Sequence, residues 1–495
     1  FHLMTLDVRL DVRLNREVIG RCLAEPDWAN QSADYRTLRL RQALDDNESP
    51  CQEADNETRR AISMFQAISF CRRRFGERAM GPVIVGMTEG VDDLLSVILL
   101  ARWGELRRRS GEVPLDIAPA LETPQALEQA GEFLEALLTE PAYREHLQAR
   151  GLQQKVMLGY GDRNTNIDLA SARWTLYRAQ ADLQQRADDG GIELRLLHGR
   201  AGSINTGGGK THASILAAAE GTVRSRCRVI EAGELVANKY GVRAIALRTI
   251  EQALNATVRA SRNPAGLAAT REPARQQLMQ TLTTAARHKY TALLADPADF
   301  PRYFQLATPV DVIRRMQGLP PAGSTSLGAV TLPWSLAWTQ SRNMLPAWYG
   351  IGSGLASAAD HHGLATLREL AQSWPLLRTL VGDVELALAK SDLGIAERYS
   401  MLAGGLHRHF FELITAEFEL TMKMVLAVRG QQILLERQHT LRRSIRLRNP
   451  YVDPLSLLQV ALLRRWRAGG AEDEELLRAL MGSVNGIARG LQDAG

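Results

Sequence analysis

The residues best equipped for chemistry in this sequence stand at the ends of short apolar runs. Lys155-Val-Met-Leu-Gly-Tyr160 is followed by Gly161-Asp162-Arg163, and Glu193–Leu197 is followed by His198-Gly199-Arg200. A carboxylate, an imidazole and a guanidinium offer cation binding, proton transfer and recognition of an anion. Between the two runs, Ala172, Leu176, Ala179 and Leu183 recur at spacings of four, three and four, the stripe of an amphipathic helix over Leu169–Asp188. Asn166 or Asp168 can cap its start, and Gly190-Gly191 ends it. Strand, helix and strand of these lengths form a right-handed crossover, which sets Asp162 and Arg200 at the same ends of neighbouring parallel strands. In β/α barrels that end carries the chemistry. Gly207-Gly-Gly-Lys-Thr211 invites a phosphate-loop reading, but that pattern needs a glycine six positions before Lys210, and Ile204 stands there.

The elements that must position these groups alternate along the first half of the chain. Candidate strands are Thr5–Arg9, Val83–Met87, Asp116–Ala120, Lys155–Gly159, Glu193–Leu197 and Arg228–Glu231, with helical patterns between most of them, an order that argues for parallel βαβ units. After about residue 235 the strand pattern fades. Arg243–Ser261, Ala274–Ala295, Gly363–Val381, Gly404–Val428 and Pro454–Ala468 read as helices, Gly318–Gly328 as a loop, and Ala329–Trp334 as a strand-like run. The expected organisation is a barrel region over 1–235 that holds the site and a mostly helical region over 236–495. The fold class is mainly α with a β/α barrel.

Composition narrows the function classes. The chain has 495 residues, is 45% hydrophobic and carries a formal charge of only +5, enough for a large core. Basic residues are almost all arginine, scattered along helical patterns, with short runs such as Arg72-Arg73-Arg74. Only six lysines occur. A nucleic-acid surface needs a basic stripe with interleaved aromatics, and the sequence has none. Cys22, Cys51, Cys71 and Cys227 form no C-x-x-C pair, so neither a zinc cluster nor a disulfide framework is expected, and a reducing cytoplasm fits. No apolar run is long enough for a membrane span, and no signal peptide is seen. Phe1 opens the sequence in place of methionine, so the native start is expected to lie upstream.

Five stretches together resemble the phosphoenolpyruvate carboxylase family. They are Phe1-His-Leu-Met-Thr-Leu-Asp-Val-Arg9, Val156-Met-Leu-Gly-Tyr-Gly-Asp162, Leu197-His-Gly-Arg-Ala-Gly-Ser-Ile204, Leu332-Pro-Trp-Ser-Leu-Ala-Trp-Thr-Gln-Ser-Arg342 and Leu447-Arg-Asn-Pro-Tyr-Val-Asp-Pro454. The resemblance runs the length of the chain. It implies an eight-stranded β/α barrel (a TIM barrel) wrapped in helices, with the family's catalytic histidine and first barrel strands before Phe1, either on the same chain or on a separate N-terminal half. It implies that Glu122 and Asp162 bind magnesium or manganese, a hard cation suited to carboxylate oxygens. Arg9 and Arg200 would reach the phosphate oxygens of a small anionic substrate. His198 matches a position near the substrate and equally fits a scaffold role. Met157 matches an apolar pocket residue and equally fits the core. Lys390 and Arg448 match two members of the family's dicarboxylate inhibitor site, and the family's assembly implies a homo-oligomer, a dimer or tetramer.

The same resemblance marks departures. Thr165 stands where the family has a lysine, with Arg163 a shifted cation beside it. Thr206 replaces an arginine that holds bicarbonate, and Lys210 follows in the same loop. Gln317–Thr331 replaces a basic mobile loop, contains no lysine or arginine, and has Val330 in place of the last arginine. Asp493 stands where the inhibitor site has an asparagine. Three readings follow. One is a divergent carboxy-lyase-like enzyme that acts on an oxo acid or phosphoenolpyruvate-like anion, with carbon dioxide fixation to oxaloacetate weak or lost. Another is a non-catalytic scaffold or partner subunit. The last is an active carboxylase in which Arg163 and Lys210 compensate.

Overall fold

The computed structural model describes residues 5–51, 55–108, 111–159, 166–198, 211–229, 233–262, 267–296, 298–316 and 333–492; side chains of 198, 229, 233–235, 238 and 267–271 fall outside that description. The chain is mainly helical with one small parallel sheet. It divides into two units. The first comprises Phe1–Gly159, Thr175–Gly199 and Gly221–Ile230, and holds all the strands. The second comprises Tyr160–Trp174, Arg200–Glu220 and Glu231–Gly495, and is helical.

The strands are β1 (Leu6–Asp11), β2 (Met80–Gly86), β3 (Ile117–Leu121), β4 (Gln153–Leu158), β5 (Glu193–His198) and β6 (Arg228–Val229). Each pairs in parallel with its successor, in the order β1-β2-β3-β4-β5-β6. All six match runs read from the sequence to within a few residues. Six strands are described, not the eight of the expected barrel. Five inter-strand spacings would hold the outer strands roughly 24 Å apart in a flat sheet. Yet Arg228 on β6 makes an ion pair with Asp7 on β1. The sheet is therefore strongly curled, with its first and last strands turned toward one another.

One face of this curled sheet is layered. Ile84, Ala118, Ala120, Met157 and Leu197 form a buried apolar cluster across β2 to β5. Toward the strand starts lie charges. Asp116 pairs with Lys155 and, at 2.8 Å, with Arg150, and these two cations outweigh burial and hold its carboxyl below the ordinary value. Burial pushes the Asp7 carboxyl up despite Arg228 and Lys155. Toward the strand ends lie Arg9 and Glu122.

The helical unit is knotted around Arg342. This residue is 1% exposed, has a positive φ of 59°, and makes an ion pair with Asp453. Its carbonyl accepts from Asp392 N at 2.9 Å. Ser391 Oγ donates to Asn343 O at 3.0 Å. Two of the stretches that carry the family resemblance are thus tied to each other by an ion pair between a buried guanidinium and a partly exposed carboxylate. Trp334 and Trp338 of the first pack on Phe300, Tyr303 and Phe304.

Three helix readings change. The Gly363–Val381 pattern is two helices, Leu364–Ser373 and Pro375–Lys390. Pro375 has no N–H to continue the first and is well placed to open the second. The Pro454–Ala468 pattern is the end of a longer helix, His439–Ala468, that runs through Pro450 and Pro454. Each proline removes a ladder bond. Packing offsets the loss: Val452, Gln459, Leu463 and Trp466 are buried, and the Glu474–Leu491 helix lies against this one. Close approach depends on glycine there, since a Cβ on Gly490 would meet Val452 Cγ2 at 2.4 Å. The expected strand-like run ends in helix, because Trp334 opens Trp334–Gln340. The rest of that run and the Gly318–Gly328 loop lie outside the described residues.

Arg342→Ala leaves Asp453 without its guanidinium, while the backbone carbonyl that receives Asp392 N is kept. A charge-assisted hydrogen bond is worth about 1.5–3 kcal/mol, so thermal unfolding is expected a few degrees lower, with Arg342→Lys intermediate. An unchanged melting temperature for Arg342→Ala would contradict the role assigned to this pair.

Candidate functional site

β1 carries Arg9 two residues before its end, and Asp11 caps the following helix, Val12–Cys22, by accepting from Arg13 N at 2.9 Å. β3 ends at Leu121, so Glu122 is the first residue past the strand. Thr123 then caps the Pro124–Glu128 helix, its Oγ1 accepting from Ala126 N at 3.1 Å, with Pro124 in the first turn. A strand before and a capped helix after leave the Glu122 backbone little freedom, and the carboxylate is held at a strand–helix junction.

Arg9 and Glu122 meet across β2. Arg9 Nη2 lies 2.5 Å from both Oε1 and Oε2 of Glu122. The arginine side chain is 52% exposed and the glutamate 8%. One nitrogen therefore bridges both oxygens, which differs from the two-nitrogen fork that is usual for such pairs. Among the described residues Arg9 makes no other side-chain hydrogen bond, so the rest of its guanidinium faces outward with donors to spare. Gly86, the last residue of β2, provides the clearance. A Cβ there would lie 3.2 Å from Arg9 Nε and 3.2 Å from Leu10 O, tighter than side chains ordinarily tolerate. Sequence reasoning missed Gly86. Its signal was a glycine closing an otherwise apolar strand, the place where a close approach is common.

Met157 sits on the same sheet face, 5% exposed, packed with Ile84, Ala118, Ala120 and Leu197. It forms part of the floor that the structure builds from small and apolar side chains. His198 is the last residue of β5, paired with Leu158 on β4 and Val229 on β6. Asp162, Arg163, Arg200 and Lys210 lie outside the described residues, as do Thr165, Thr206, Val330 and Asp493. Asp168, offered as a helix cap, does that work: its Oδ1 accepts from Ser171 N at 2.9 Å, it is fully buried, and burial raises its carboxyl pKa.

Lys390 and Arg448 belong to the helical unit. Lys390 ends the Pro375–Lys390 helix, two residues before the Asp392 turn that Arg342 holds. Arg448 lies five residues before Asp453, the other partner of Arg342. Arg448 Nη1 donates to Gly490 O at 2.8 Å and Nε to Ser444 O at 3.1 Å, and burial lowers its pKa.

A divalent cation requires hard oxygen donors. Glu122 offers such donors at a strand end, although in this structure both of its oxygens are bonded to Arg9. No group of three or more histidine, cysteine, aspartate or glutamate side chains that could hold a metal occurs among the described residues. Glu122 alone of the two expected metal ligands lies among the described residues. Among the described residues no helix is long and apolar enough to cross a membrane.

The whole chain also compares closely with known proteins. A family model described as phosphoenolpyruvate carboxylase matches residues 1–495. A phosphoenolpyruvate carboxylase of Xanthomonas campestris pv. campestris is 43% identical over all of this chain and 55% of its own length. One from Roseiflexus castenholzii is 34% identical over all of this chain and 55% of its own length, and one from Nocardia farcinica 35% identical over all of this chain and 56% of its own length. The chain thus spans about half the length of the curated relatives it matches.

Gly86→Val places branched carbons in the path of Arg9. Overpacking of this kind costs about 1–3 kcal/mol. The expected result is a lowered melting temperature together with loss of the Arg9–Glu122 contact in the variant's structure. Wild-type stability with the contact intact would refute the clearance argument.

Proposed function

The chain belongs to the phosphoenolpyruvate carboxylase family, and from that premise we propose that it carries the cation- and anion-binding part of a carbon–carbon lyase site. Its substrate is a small oxo acid or a phosphoenolpyruvate-like anion, and carboxylation to oxaloacetate is weakened or lost. The observation that carries this reading is the Arg9–Glu122 pair at the C-terminal end of a curled parallel sheet. A carboxylate for a cation and a guanidinium with outward donors for an anion stand within one contact of each other.

Glu122 and Asp162 would hold magnesium or manganese, which when bound supplies Lewis-acid stabilisation of developing negative charge. Arg9 and Arg200 bind and orient the anion. Met157 belongs to the apolar wall, which excludes water and strengthens every charge interaction beside it. His198 stands within the same strand-end layer as a proton carrier or a hydrogen-bonding scaffold. Loss of cations at Thr165, Thr206 and Val330 opposes carboxylation. Each charge-assisted bond to a buried anion is worth roughly 1.5–3 kcal/mol, so three such losses weaken hold on bicarbonate and phosphoenolpyruvate by several orders of magnitude. Arg163 and Lys210 restore part of the charge.

The remaining features follow from the family. The six strands are part of an eight-stranded barrel, the barrel region covers 1–235 and the helical region 236–495, and the protein works in the cytoplasm as a dimer or tetramer. Exposed Leu447, Tyr451 and Leu458 on the His439–Ala468 helix support assembly through the C-terminal helices. Lys390 and Arg448 form a remnant of a dicarboxylate inhibitor site.

A second reading, a non-catalytic partner subunit, draws on the same ion pair, because a carboxylate and a guanidinium that satisfy each other have less need of ligands. A screen for carbon dioxide release and enolisation across small oxo acids, with and without manganese, separates the two. Metal-dependent turnover that falls at least a hundredfold in Glu122→Gln is expected. Absence of turnover with every oxo acid would leave the partner-subunit reading, and metal-dependent oxaloacetate formation from phosphoenolpyruvate at ordinary carboxylase rates would overturn the loss of carboxylation.

A further inference from the structure

The helix that follows β1 ends on a cysteine, and a second cysteine is bonded to its last carbonyl. Cys22 closes the Val12–Cys22 helix and is 3% exposed. The last carbonyls of a helix need partners from outside its own ladder. For Cys22 O that partner is Cys51 N, which donates at 2.9 Å. The Cys51 side chain is exposed. Fixed bond lengths on either side of this contact hold the two Cα atoms no more than roughly 6.8 Å apart, and disulfides span Cα separations of roughly 4.4–6.8 Å. The thiols also lie within reach of each other's charge. The Cys22 pKa is pushed up to about 11, first by burial and next by the Cys51 thiol. Cys227 is raised to about 11 by burial alone.

Cys51 is held between tethered neighbours. Before it, the Glu48 carboxylate accepts from Arg39 Nη1 and Nη2 at 2.8 and 2.9 Å, and Glu48 O accepts from Trp103 Nε1 at 2.7 Å. After it, Asp55 and Glu57 both accept from Arg21 Nη1, at 2.6 and 2.9 Å, and Arg21 is the residue before Cys22. The exposed thiol therefore meets a soluble disulfide first, already beside its buried neighbour. The Cys51 thiolate attacks one sulfur of glutathione disulfide, one glutathione leaves as its thiolate, and a mixed disulfide forms on Cys51. Cys22 gives its proton to the departing thiolate, attacks the Cys51 sulfur and displaces the second glutathione. Two cysteine thiols are oxidised to one disulfide, and one glutathione disulfide is reduced to two thiols that carry away both protons. A disulfide with one exposed sulfur stays open to reduction, which suits a reversible bond.

We propose that Cys22 and Cys51 are a reversible modification site, closing to an intrachain disulfide when a small disulfide oxidant exchanges with Cys51. The proposal is independent of the lyase reading, because the bond is measured without turnover. The test incubates the reduced chain with glutathione disulfide under native conditions, blocks the remaining thiols with N-ethylmaleimide in urea, and maps peptides by mass spectrometry without reduction. One peptide pair joining Cys22 to Cys51 is expected, with neither Cys71 nor Cys227 in a link. The melting temperature is expected several degrees higher, since closing a loop of about 30 residues restricts the unfolded chain, and dithiothreitol should return it to its starting value. Cys71→Ser/Cys227→Ser should form the same link. Cys51→Ser, at an exposed position, should form none and show no rise in melting temperature. Cys22→Ser should stop at the glutathione adduct on Cys51. If that buried substitution prevents folding, the unaltered chain and Cys51→Ser still decide the matter. Four unlinked cysteines in the unaltered chain would overturn the proposal, as would a lasting glutathione adduct on its Cys51. So would a link through Cys71 or Cys227 instead, or a Cys22–Cys51 link that forms only after urea unfolds the chain.

Discussion

The contact between Arg9 and Glu122 is the constraint around which the sheet end is built. The Glu122 carboxylate is nearly buried, and a half-exposed guanidinium on a strand two places away bonds both of its oxygens. The geometry demands a clear path over β2, which is why that strand closes on Gly86. It demands that Glu122 stay fixed just past β3, which the Thr123 cap and Pro124 secure. It also demands a curled sheet, and the Asp7–Arg228 pair at the other end of the same face reports that curl. The face is thus charged at both ends and apolar between, with Met157 in the apolar layer. At the strand starts the charges pair off among themselves. At the strand ends one guanidinium is only partly used.

Two of the stretches that carry the family resemblance in the helical unit turn out to hold architecture together. Arg342 lies at the end of one and Asp453 near the end of the other, and their ion pair joins segments more than a hundred residues apart. Gln340 Nε2 adds a bond to Val484 O at 3.0 Å. Lys390 and Arg448 stand close to this knot in sequence without belonging to it.

Much of the fold was legible in the sequence because each β/α repeat wrote its own period. The six strands announced themselves as short apolar runs between helical stripes, and Leu169–Asp189 matched its expected helix almost to the residue. Two errors share a cause: proline acts by position. Pro375 starts a helix because the first turn needs no N–H there, and it split one pattern in two. Pro450 and Pro454 sit inside a helix that tertiary packing sustains. Trp334 was grouped with a strand-like run on hydrophobicity alone, yet it opens a helix whose Trp338 shares its aromatic cluster. In the site, Arg9 and Glu122 were legible through the family resemblance, but their mutual contact was not, since 113 residues separate them and no local signal records which partner a charge will meet. Gly86 was invisible for the same reason.

The account stands or falls on whether Arg9 and Glu122 form a single unit for a cation and an anion together. Electron paramagnetic resonance titration with manganese, with and without a small phosphonate analogue of an oxo acid, measures that unit directly. The account predicts at least tenfold tighter manganese binding when the anion is present, since the anion draws Arg9 away from the carboxylate, and loss of that coupling in Arg9→Gln. Equal manganese affinity with and without the anion, or the same coupling in Arg9→Gln, would contradict it.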